Sequence, residues 1–93
     1  MPTYKLAVTK TWLCIEFLRK RYQDVDPAVH LGMDRALSLA AGSADPQEWV
    51  NRILDTAADA PDTEIPGLIE ALQALLSIDE RPAAELIDER RGG

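Results

Sequence analysis

The residues able to do chemistry in this chain are few and scattered. There is one thiol, Cys14, and one imidazole, His30. Nucleophilic catalysis needs an activated nucleophile beside a base, with a third group to orient that base. Cys14 and His30 could meet only if the segments carrying them pack as antiparallel helices, and Asp26 and Asp34 are the acids placed to orient the ring. The expectation is a buried structural cysteine. Asp26, His30 and Asp34 also form an i, i+4, i+8 ladder along one helix flank. A metal ion needs three or four ligands converging on one point, and residues spread over two turns do not converge. Asp26 reads instead as a helix cap and Asp34 as a solvent-side partner of His30. The paired acids Asp55 with Asp59 and Asp88 with Glu89 fall on polar helix sides, not in a cleft that would separate their pKa values. No catalytic, metal-binding or cofactor-binding residue is predicted, and the chain is expected not to be an enzyme.

Both ends carry short resemblances. Met1-Pro2-Thr3-Tyr4 resembles the start of the tautomerase superfamily, whose catalytic base is an amino-terminal proline exposed by methionine removal. That resemblance would give Pro2 the role, and it covers four residues. The family needs a β-α-β unit with the proline opening a strand, whereas here the pattern passes into an amphipathic helix and never returns a second strand. Arg90-Arg91-Gly92-Gly93 resembles the conjugation tail of ubiquitin-like modifiers. Their β-grasp fold conflicts with the helical pattern, so a flexible tail after the last helix is expected.

Stepping from reactive groups to the elements that hold them, the large side chains concentrate between Lys5 and Gln23. At about 100° per residue, Tyr4, Val8, Trp12, Ile15, Leu18 and Tyr22 share one face, with Ala7 and Cys14 at its edge. Leu6, Leu13 and Phe17 form a second stripe nearly opposite. A helix apolar on two faces must bury both. It is either the centre of a bundle or a helix with one face in the core and the other against a partner.

Ninety-three residues, 46% hydrophobic and 28% charged, suit one globular domain spanning 1–93. A single cysteine cannot form an internal disulfide. The start has neither a signal-peptide core nor a long apolar run, so a cytoplasmic protein that does not cross a membrane is expected. The net charge of −6 is unevenly spread. Residues 1–23 hold Lys5, Lys10, Arg19, Lys20 and Arg21 against Glu16, a net of +4, and the remainder carries −10. A basic helix docked on its own acidic domain is the simpler explanation, ahead of two surfaces for different partners.

The remaining chain reads as proline-marked helices. The first helix is expected over about 3–23. Asp26 caps and Pro27 opens a second over 27–41, with Val29, Met33, Ala36, Leu37 and Ala40 buried against the first helix and Gly42 as a left-handed cap. Asp45, Pro46 and Glu48 start a third over 46–59, burying Trp49, Val50, Ile53, Leu54 and Ala57. Thr63 caps a fourth over 66–78, which presents Leu68, Ile69, Leu72, Leu75 and Leu76. Asp79 caps a short fifth over 82–90 with Leu86 and Ile87. No segment alternates with period two over a strand's length. The fold class is all-α, a small bundle of four to five helices with a two-faced first helix.

Direct nucleic-acid binding would use Lys10, Arg19, Lys20 and Arg21 with Trp12 and Tyr22, but those aromatics share the stripe assigned to the core. A helix-turn-helix reading places Asp45, Glu48, Asp55 and Asp59 against Arg52 on the recognition helix, which repels a duplex. The acidic remainder suggests the reverse: a nucleic-acid mimic occupying the basic groove of an enzyme, in the manner of some phage-encoded inhibitors. The leading expectation is a non-enzymatic protein-protein interaction domain, an adaptor, regulator or inhibitor. Leu6, Lys10, Leu13, Phe17 and Arg21 form its contact patch, and homodimerisation is the simplest version.

Overall fold

The computed structural model describes residues 11–43 and 45–92. Five α-helices carry these residues, α1 (Thr11–Asp24), α2 (His30–Leu39), α3 (Pro46–Asp59), α4 (Ile65–Leu76) and α5 (Glu80–Arg90), with no strand among them. Three short 3-10 turns, Pro27–Val29, Ala40–Gly42 and Asp62–Glu64, join them. The expected start of the first helix, its members Tyr4, Leu6 and Val8, and Pro2, Lys5 and Lys10 lie outside the described residues.

The centre of the bundle is α4, not the first helix. Its sequence is almost wholly apolar, and Leu68, Ala71, Leu72, Leu75 and Leu76 are buried while it packs against all four other helices. A helix apolar around most of its circumference has to sit inside. Its tightest neighbour is α2, and glycine makes that possible. A Cβ added at Gly32 would lie 2.1 Å from the Glu64 carbonyl oxygen, and one at Gly67 would lie 2.2 Å from that of Val29. The closest approach of α2 is therefore to α4, at Gly32, and α2 also packs against α1 as expected. Gly32 beside Gly67, and Arg35 beside Glu64, show that the two helices run antiparallel at this crossing.

Side-chain caps set two of these starts, the 3-10 turn at Pro27 and α3. The Asp26 carboxylate accepts from the Ala28 amide at 2.9 Å and that of Asp45 from the Glu48 amide at 2.8 Å. Each precedes a proline whose fixed φ suits a first helical position. The first of these segments opens and closes as 3-10 turns instead of one continuous helix over 27–41. Gly42 is not left-handed; the segment closes through Ser43 N–H to Ala40 O at 3.1 Å, and Arg52 Nη1 donates to Gly42 O at 3.0 Å.

Two other expected caps fail. Thr63 sits exposed within a 3-10 turn set by Pro61, whose carbonyl accepts from the Glu64 amide at 2.9 Å, and α4 starts after it. Asp79 occupies the cap position of α5 without a side-chain cap bond, and that helix begins at Glu80, ahead of Pro82. Ser77, φ 56°, is a left-handed cap and ends α4.

All five residues expected to be buried on α3 are buried. Trp49 is enclosed, and its indole N–H donates to the Ala36 carbonyl at 2.7 Å, so the core gains a large ring without stranding its polar atom. Ala83 and Ile87 close the far side from α5. At the end of the chain Arg91 donates to the carbonyls of Ala57, at 2.9 Å, and Ala60, at 3.0 Å, and pairs with Asp62. A cation thus satisfies carbonyls at the C-terminus of α3, where the helix dipole favours positive charge.

Candidate interaction surface on the first helix

One face of α1 is fixed to the bundle. Leu18 is fully enclosed and Cys14 nearly so, while Ile15 and Tyr22 are half-buried against the same core. This i, i+4, i+8 row of Cys14, Leu18 and Tyr22 lies to one side of the expected stripe. Trp12 was expected to share that stripe with Leu18, but it is 60% exposed. The displacement follows from the flanking anchors. On one side Arg21 Nε donates to Glu70 Oε2 of α4 at 2.8 Å, with Nη2 2.6 Å from the same oxygen. On the other side the Tyr22 and His30 rings stack, their centroids 4.0 Å apart.

The opposite face is left outward. Phe17 is 52% exposed and Leu13 37%. Being four residues apart, they stand one turn above the other on the same side of the helix. Phe17, Lys20, Arg21 and Asp24 line a shallow open groove of about 260 Å³. Of the nearby cations Arg21 is tied to Glu70, and Arg19 lies 3.4 Å from Glu16 in an exposed pair. Lys20 has no ion-pair partner among the described residues and is exposed.

Of the five residues expected to form the patch, Leu13, Phe17 and Arg21 therefore share one region of α1, and Leu6 and Lys10 lie outside the described residues. Lys20, which lines the groove, was not among the five, and the exposure of Trp12 and of Leu31, on α2 and 51% exposed, was not expected. The signal for Leu31 was present, because it is a large apolar residue off the buried stripe of its helix. Trp12 had no such signal, since the 3.6-residue period alone placed it with Leu18.

The groups weighed for chemistry are held apart. Cys14 faces the core, where burial pushes its thiol upward. His30 is stacked on Tyr22, which lies two turns, about 12 Å by helical rise, from Cys14 along α1. Its Nε2 lies 3.0 Å from the Tyr22 carbonyl oxygen. Asp34 meets the Tyr22 hydroxyl, at a long 3.5 Å, rather than pairing with His30 as expected. Burial, then the Asp34 charge and hydrogen bond, push the Tyr22 phenol upward. No group of three or more His, Cys, Asp or Glu side chains among the described residues is placed to hold a metal ion. No helix among them is long and apolar enough to cross a membrane.

Fold and surface together define a small all-α bundle with an apolar, partly basic strip on its first helix. The chain has no significant match to any family model, curated protein or solved structure.

Proposed function

We propose that this chain is a non-enzymatic protein-protein interaction module, an adaptor, regulator or inhibitor, that binds its partner through the outer face of α1. The observation that carries the reading is the exposure of Phe17, with Leu13 one turn away, on a helix whose other face is anchored by Leu18 and by the Arg21–Glu70 ion pair. Exposed aromatic and aliphatic side chains grouped on a rigid element are the usual anchors of protein interfaces.

The nucleic-acid readings have less support. Trp12 is available for stacking, but Arg21 is engaged by Glu70 and Arg19 by Glu16, which leaves Lys20 as the one cation of α1 without an ion pair among the described residues. A phosphate-mimicking acidic surface is interrupted where Asp55, Asp62, Glu64 and Glu70 each meet an arginine.

The test replaces Leu13 and Phe17 together by serine. The variant keeps its helical circular dichroism and melting temperature, and a partner captured by the wild-type chain from its host is lost. Retention of that partner, or unfolding of the variant, removes the proposal. Sedimentation of the two proteins reads self-association through the same face.

A further inference from the structure

We draw no further inference here: the strongest candidate, the unpartnered apolar face of α1 at Leu13 and Phe17 with the groove that Phe17 shares with Lys20, Arg21 and Asp24, carries nothing more because Asp24 and the Arg21-bound Glu70 offset its two cations and nothing in the structure shows what covers it.

Discussion

Gly32 and Gly67 meet backbone to backbone where α2 crosses α4. A Cβ on Gly67 would come within 2.6 Å of the Gly32 Cα, and one on Gly32 within 2.1 Å of a main-chain oxygen. No side-chain rearrangement relieves a clash with backbone, so the helices must part. Gly32→Ala or Gly67→Ala therefore costs about 3 kcal/mol or more, beyond ordinary overpacking. The melting temperature falls by more than about 10 °C. Gly42→Ala supplies the contrast: the nearest atoms to its new methyl are those of the Arg52 guanidinium, 3.1 Å away at the end of a flexible chain, and its backbone is not left-handed. Thermal and urea melts of the three variants measure the difference.

Phe17 and Leu18 are neighbours in sequence with opposite environments, 52% and 0% exposed. Leu18→Ala removes buried methyl groups and leaves a cavity, costing about 2–5 kcal/mol. Phe17→Ser changes stability by no more than about 0.5 kcal/mol. If urea denaturation finds the two equally damaging, the outer face of α1 is structural.

Arg91 ties the end of the chain to the exit of α3. Arg91→Ala gives up two carbonyl hydrogen bonds and the contact with Asp62, which is itself exposed. Such a loss costs about 1–2 kcal/mol. Hydrogen exchange should accelerate first at the last turn of α3, near Ala57, rather than around Leu68 and Leu72. Uniform acceleration would mean that Arg91 holds the whole bundle and not one helix end.

Cys14 sets an alkaline limit on stability. Burial favours the neutral thiol, so the folded-state pKa lies above the unfolded one. Above the unfolded thiol's pKa of about 8.5, the unfolded chain releases this proton before the folded chain does. The contribution is therefore complete below that pH and is lost as pH rises through the folded value. The raised Tyr22 phenol acts in the same direction at higher pH. Stability measured by urea melts at stepped pH falls on the alkaline side, and Cys14→Ala shallows the first part of the decline. The native thiol resists alkylation at pH 8, and its reaction rate rises with added urea.

Several elements were readable from residue type and period because their causes are local. Asp26-Pro27 and Asp45-Pro46 carry cap and helix start within a few residues, and the stripes of α3 and α4 are continuous enough to fix their buried sides. The failed caps are instructive for the same reason. Thr63 and Asp79 have the right chemistry, but Pro61 begins a tight turn before Thr63 can cap, and α5 winds back past Pro82 to Glu80. In each case the residue three positions on is a proline, Pro66 or Pro82, which offers no N–H for the capping side chain.

The candidate site divides in the same way. The outward stripe of Leu13 and Phe17 follows from helical geometry applied to the sequence. Its rotation, which brings Trp12 to the surface and Cys14 into the core, depends on anchors that are distant in sequence: Glu70 for Arg21 and His30 for Tyr22.

By itself the sequence determined an all-α chain, the helices and most of their buried faces, because periodicity and capping are short-range physics. Tertiary structure alone decided which helix lies at the centre. That choice rests on two glycines thirty-five positions apart, Gly32 and Gly67, whose missing side chains allow α2 and α4 to touch. With α4 enclosed, α1 is left on the outside with one face anchored and the other open.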